Sequence, residues 1–240
     1  MILKNEWRTI SIVAGTLAII MFIVNVVTAD IPITKLWPWS APLSGYTIVI
    51  DPGHGGPDGG AVAADGTIEK TITLTVSQYL RDYLQQAGAY VIMTRDDDRD
   101  LASPETKGYS KRKWEDLKER LSIIRENNAS MFCSIHLNSN PGGGKGAQVF
   151  YDTELEASKL LAQAIQSQFQ KQLNSKRAIE PQEDLYLLRN SHVPAVLAEV
   201  GFLSNTAELA LLKQKSYQKK IAYSMYQGIL EYVTSSQTGK

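Results

Sequence analysis

The 240-residue chain carries 25 Lys and Arg against 25 Asp and Glu, together with three histidines and one cysteine. Balanced charge leaves no block of uncompensated cations to coat nucleic acid, and a lone cysteine excludes an internal disulfide framework and any multi-thiolate metal site. If a metal is bound, His54, His136, His192 and carboxylates must hold it.

From Thr9 to Ala29 there is no charged side chain. A run of this length can cross the roughly 30 Å hydrocarbon layer as a helix. Lys4 and Arg8 precede it with only Glu6 opposing them, so the positive-inside tendency keeps the N-terminus cytoplasmic and sends the rest of the chain outside. An uncleaved membrane anchor over residues 1–29 is the expectation, with a removable signal peptide ending at Val27-Thr28-Ala29 as its rival. Either places the working domain outside the cytoplasm. Residues 30–45 hold three of the nine prolines and two of the four tryptophans, a composition that reads as a semi-extended linker. Trp37 and Trp39 would rest at the headgroup level or pack on the domain.

Beyond residue 45 the pattern alternates. Tyr46–Asp51 reads as a buried strand stopped by Pro52-Gly53, and Tyr90–Arg95 as a second. Between them Ile72, Val76, Tyr79, Leu80, Tyr83 and Leu84 recur at helical spacing up to Gly88. Met131–His136, Ala147–Tyr151 and Ala195–Val200 are further strands. Helical patterns cover about 113–127, 153–173 and 217–233, the last with Ile221, Met225, Gly228, Ile229 and Tyr232 on one face. Such alternation predicts an α/β fold: one domain, residues 46–235, with a twisted, mostly parallel central sheet flanked by helices and preceded by the N-terminal transmembrane helix.

Ligands in open α/β sheets bind outside the carboxyl ends of strands. His54 follows the first strand, Glu69 opens the first helix, His136 closes the third strand and Glu199 lies near the end of the last. Two histidines and a carboxylate with a fourth position open form a known catalytic zinc set, and a second carboxylate can serve as general base. Each residue also has a structural reading. His54 could be a turn residue in its glycine loop, His136 a satisfied core histidine and Glu69 a first-turn carboxylate complementing the helix dipole. Glu199 is the most telling, because its apolar flanks make an unpaired carboxylate expensive.

Other motifs fail. Asp58 stands where a dinucleotide fingerprint needs glycine, Gly144-Lys145 is followed by Gly146 rather than Ser or Thr, and no histidine is followed closely by Glu. The acidic run Asp96–Asp100 lacks the glycine and glutamate of a calcium loop and reads as a solvated loop facing the basic stretch Lys111–Lys113. Cys133 reads as a core residue, and His192 as a surface-loop residue outside the constellation.

Ile50-Asp-Pro-Gly-His-Gly-Gly56, Glu69-Lys70, Ser134-Ile-His-Leu-Asn138 and Pro194-Ala-Val-Leu-Ala-Glu-Val-Gly-Phe-Leu-Ser-Asn205 resemble the signature blocks of the zinc-dependent N-acetylmuramoyl-L-alanine amidases over residues 46–233. The resemblance implies His54, Glu69 and His136 as zinc ligands and Glu199 as the catalytic carboxylate, with hydrolysis of the amide joining N-acetylmuramic acid to L-alanine in peptidoglycan. The stretch Asp100–Gly108, then Arg112-Lys113, Asp116-Leu117 and Arg120, is similar to the membrane-anchored, germination-specific branch. That branch implies a spore-cortex substrate, a step towards muramic-δ-lactam and an activating protein partner. Two features depart from the wider family: Leu137-Asn138 replaces the commoner Ala-Asn or Ala-Asp, and no wall-binding repeat is attached. Asn138 and Arg189 are candidates for holding the oxyanion or the peptide. The rival readings are a non-catalytic peptidoglycan-binding protein and a zinc peptidase acting on stem peptides.

Overall fold

The computed structural model describes residues 15–22, 41–140 and 142–238. Residues 15–22 are helical; the rest of the expected anchor, and the linker as far as residue 40, lie outside the described residues. Among the described residues no helix is long and apolar enough to cross a membrane. The main compact unit runs from Ala41. Leu43 is fully buried in its core, and its amide donates to the Ala87 carbonyl at 3.0 Å.

In chain order this unit consists of β1 (Thr47–Pro52), α1 (Glu69–Gln86), β2 (Tyr90–Met93), α2 (Tyr109–Glu126), β3 (Met131–Asn138), β4 (Gln148–Tyr151), α3 (Glu156–Leu173), β5 (Glu180–Pro181), α4 (Tyr186–Asn190), β6 (Ala195–Phe202), α5 (Thr206–Leu212) and α6 (Lys215–Thr238). The six strands form one mixed sheet of order β2-β1-β3-β6-β4-β5. The first four are mutually parallel; β4 pairs antiparallel with β6, and β5 parallel with β4. The sheet is therefore α/β and mostly parallel as expected, with a reversal at the β6–β4 seam.

Strand side chains alternate between faces, and the two faces bury different layers. Ile48 and Ile50 of β1, Cys133 and Ile135 of β3, and Val196 and Ala198 of β6 join Ile72, Val76 and Leu80 of α1, Ile165 and Phe169 of α3, and Ile221 and Met225 of α6. Cys133 is thus a core residue, and burial raises its thiol to about 12. The opposite face packs Val49, Phe132 and Ala195 against Leu121 and Ile124 of α2 and Leu187 and Leu188 of α4. Asp51, Ser134, His136 and Glu199 share this second face by the period of two. The parallel register Ser134↔Leu197 and His136↔Glu199 sets the last two side by side.

Three short elements, β5, α4 and α5, have no counterpart in the apolar pattern. β5 is two exposed residues. α5 is started by Asn205, whose side chain accepts from the amides of Ala207 and Glu208, each at 3.1 Å, a cap that satisfies otherwise orphaned helix donors.

Candidate active site

β1 ends in the turn that carries His54, and two buried arginines grip that turn. Arg95 Nε donates to the carbonyls of Pro52 (3.0 Å) and His54 (2.6 Å), and its Nη2 to Gly53 (2.9 Å). Arg120, from α2, donates to the same Pro52 and His54 carbonyls at 3.0 and 2.8 Å. Asp51 balances the charge. It accepts from Arg120 Nη1 (2.5 Å), Thr94 Oγ1 (2.6 Å) and Ser134 Oγ (2.6 Å), while Asp116 accepts from Arg120 Nε at 2.9 Å. Burial works against the Asp51 carboxylate, but Arg120 and the two hydroxyls outweigh it and hold its pKa down at about 2. Burial and the neighbouring Arg120 push Arg95 down to about 10.

The three candidate ligands meet above this cradle. His54 Nε2 lies 3.2 Å from Glu69 Oε1, and His136 Nδ1 lies 3.1 Å from the same oxygen. One donor atom from each of the three falls within 4.8 Å of the others. Donors held about 2.0–2.1 Å from a tetrahedral ion are about 3.3 Å apart, which the two separations from Glu69 Oε1 match. Glu69 is fixed independently, Oε1 accepting from the Leu137 amide (2.9 Å) and Oε2 from the Ala61 amide (2.8 Å). It is therefore more than a helix-dipole carboxylate. Burial opposes its charge, yet the two histidines hold its pKa well below the usual carboxylate range. Burial likewise opposes a charged His54, but Asp58 and Glu69 prevail and raise it to about 9. The cluster thus has the electrostatics of a cation site.

Close packing explains two of the glycines. A Cβ on Gly53 would stand 2.4 Å from His136 Cε1 and 2.5 Å from its Nε2, and one on Gly60 would stand 2.6 Å from Glu69 Oε2. Any side chain there displaces a ligand.

Glu199 is the Cα partner of His136 across the β3–β6 ladder and of Gln148 across β6–β4. Its Oε2 is buried without a hydrogen-bond partner. Burial, reinforced by the nearby Glu69 and opposed by His136 and His54, raises its pKa to about 7. A carboxylate so tuned can exchange protons near neutrality.

The remaining expectations fare differently. Asn138 lies two residues beyond His136, across a register shift, and its carbonyl accepts from the Leu203 amide at 2.8 Å. Arg189 is not brought to the cluster. Leu187 and Leu188 pack α4 against Phe132 and Ala195 near the amino ends of β3 and β6, so Arg189 lines a 150 Å³ cavity with Asp152, Glu154 and His192 at the opposite end of the strands. His192 is an exposed loop residue outside the cluster. The acidic loop does face the basic stretch, Asp100 pairing with Arg112 at 2.6 Å. It also packs onto the His54 turn, where Asp98 accepts from the Gly56 amide (2.9 Å) and pairs with Lys70 (2.8 Å).

Sequence reading missed Asp58, Arg95 and Arg120. The available signals were a carboxylate four residues after a histidine in a glycine loop, and an Asp116–Arg120 pair, spaced i,i+4, on the inner face of a helix.

The sequence signature of the N-acetylmuramoyl-L-alanine amidase family matches residues 48–231. The chain is 49% identical over 199 residues to the germination-specific N-acetylmuramoyl-L-alanine amidase of Bacillus subtilis (strain 168), an alignment spanning 82% of this chain and 84% of that one. Its fold is similar to that of the CwlD amidase from Clostridioides difficile, solved in complex with the GerS lipoprotein. That match has a TM-score of 0.77 and 41% identity over 79% of this chain and 99% of the other. An N-acetylmuramoyl-L-alanine amidase from Clostridium difficile 630 matches with a TM-score of 0.70 and 30% identity, over 79% and 97% of the two chains.

Proposed function

Because this chain belongs to the N-acetylmuramoyl-L-alanine amidase family, we propose that it is a zinc-dependent amidase that cleaves the bond between the lactyl group of N-acetylmuramic acid and L-alanine. The observation that carries this reading is the convergence of His54, Glu69 and His136 beside the unpartnered Glu199. Zinc held by the three would supply Lewis acidity at a carbonyl and an acidified water. Glu199 Oε2 takes the proton of the attacking water and delivers it to the departing amine of L-alanine. Arg95 and Arg120 keep the His54 turn from shifting while this happens. Asn138, at the carboxyl end of β3, is the candidate for contact with the reacting carbonyl or the peptide.

Identity to a germination-specific amidase supports spore cortex as the substrate, with removal of the stem peptide preparing muramic acid for closure to muramic-δ-lactam by a separate deacetylase. In this reading residues 1–29 anchor the enzyme in the membrane, the stretch from 30 to 40 tethers it, and the compact unit from Ala41, five residues earlier than the sequence boundary at 46, works outside the cytoplasm. The association of CwlD with the GerS lipoprotein supports a protein partner for this chain as well.

Purified peptidoglycan incubated with the enzyme should release free stem peptide beginning at L-alanine and leave peptide-free glycan strands, resolved by mass. A chelator should abolish the release and zinc restore it. Peptides cut at an internal bond, or release indifferent to chelation, would overturn the assignment.

A further inference from the structure

Of the two histidines in the cluster, His54 has a carboxylate against its outer ring nitrogen. While Nε2 faces Glu69 Oε1 at 3.2 Å, Nδ1 lies 3.0 Å from Asp58 Oδ2. The contact has the distance of an ion pair without the alignment of a full hydrogen bond. Asp58 is itself held from both sides. Lys113 Nζ donates to Oδ2 at 2.8 Å, the Tyr109 hydroxyl to Oδ1 at 3.0 Å and the Gly60 amide to Oδ1 at 3.1 Å. Lys113 and Tyr109 stand on successive turns of α2, more than fifty residues away in sequence, so tertiary structure aims this carboxylate.

We propose that Asp58 is a positioning residue for the metal centre, fixing the His54 ring with its proton on Nδ1 and its Nε2 lone pair turned towards the ion. A ligating imidazole whose outer N–H is engaged by a carboxylate is oriented and made a stronger donor. The alternative role for Asp58 is to staple the loop, since its backbone bridges Gly55 and its side chain ties that loop to α2. The two roles separate chemically. Asparagine keeps the size of the side chain and one acceptor oxygen for the Tyr109 and Gly60 bonds, but removes the carboxylate oxygen that Lys113 and the imidazole share; Lys113→Met, which breaks that tie to α2 and leaves the carboxylate, isolates the staple.

This inference rests on the reading that His54, Glu69 and His136 hold zinc, and the test distinguishes the two. Zinc affinity of the full chain is measured by chelator competition for wild type, Asp58→Asn and Asp58→Glu, beside the melting temperature of each zinc-free protein. Asp58→Asn should bind zinc about 10–100-fold more weakly, with a zinc-free melt no lower than that of Lys113→Met measured alongside, and Asp58→Glu should recover part of the loss. In the wild-type zinc-loaded protein, ¹⁵N-imidazole spectra should show His54 protonated at Nδ1 and metallated at Nε2, a result that needs no variant to fold. Asp58→Asn affinity within twofold of wild type, or metallation of His54 at Nδ1, overturns the role of Asp58 alone. Failure of the wild-type chain to take up zinc overturns both readings.

Discussion

Replacing Asp51 with alanine should destabilise the folded chain by about 3 kcal/mol. The Asp51 and Arg120 side chains are each 2% exposed, and removing one member of a buried pair typically costs about 3–5 kcal/mol because the other charge is left uncompensated. The lower end applies because Arg120 retains Asp116 and two backbone carbonyls. At about 2–4 °C per kcal/mol for a unit of this size, the melting temperature should fall by about 6–12 °C, read by circular dichroism on the full chain. The acid limb gives an independent check. Asp51 titrates at about 2 when folded against an ordinary value of 3.8, a difference worth about 2 kcal/mol. A depressed folded value means that this stability is fully present above pH 4 and is lost as the pH falls towards 2, so the stability gap between wild type and Asp51→Asn should narrow in that window. Because the same arginine holds the carbonyls of Pro52 and His54, zinc affinity should fall along with stability. A loss below about 1 kcal/mol, or a gap that does not narrow in acid, would refute the view of Asp51 as the counter-charge that holds Arg120 beneath the His54 turn.

Glu199→Gln should lower kcat/KM by about 10²–10⁴-fold while zinc stoichiometry stays at the wild-type value; a fully active variant would remove Glu199 as the base. Gly53→Ala drives a methyl group into the His136 ring at a point where the backbone is pinned by Arg95, Thr73 and Ile135. A rate loss of about 10²-fold and weaker zinc binding should follow, and unchanged zinc affinity would contradict the packing. Burial sets the Glu199 carboxyl at about 7, and a cation bound nearby favours its charged form. Activity should therefore rise with pH along a limb whose midpoint lies below 7, and the opposite slope in a kcat/KM profile would exclude a carboxylate base there.

Periodicity made most of the scaffold legible, and the departures have physical causes. β1, β2, β3, β4 and β6 are apolar runs with abrupt polar or glycine ends, and so are α1, α3 and α6 in their 3.6-residue register. α2 starts at Tyr109 rather than near Lys113: its first turn, Tyr109-Ser-Lys-Arg112, is exposed or half-buried and so carries no apolar stripe to read. The meeting of His54, Glu69 and His136 beside Glu199 was legible because each falls at a strand's carboxyl end or at the start of the helix that follows, the rim where ligands of open α/β sheets bind. Asp58 and Arg95 were not: an aspartate four residues after a histidine is not distinctive alone, and the groups that aim them, Tyr109 and Lys113 for Asp58 and the His54 carbonyl for Arg95, lie 41–55 residues away. Arg189 shows the converse error. It is close to Glu199 in sequence, but β6 must be traversed between them, and that carries the two to opposite ends of the sheet.

The reversal of β4 also bears on how a polymer gains access. A parallel fourth strand would have required a crossover, usually a helix, between it and β3. Because β4 instead runs antiparallel to β6, β3 ends and β4 begins on the same rim, and the connection is made by a short stretch containing Gly142, Gly143, Gly144 and Gly146. That connection is tied to the start of α5, the Gly146 amide donating to Glu208 Oε1 at 2.6 Å and the Asn205 side-chain amide to the Gly144 carbonyl at 3.0 Å. A polymer approaching this rim therefore meets a short glycine-rich connection fastened to α5 where a parallel strand would have placed a crossover helix.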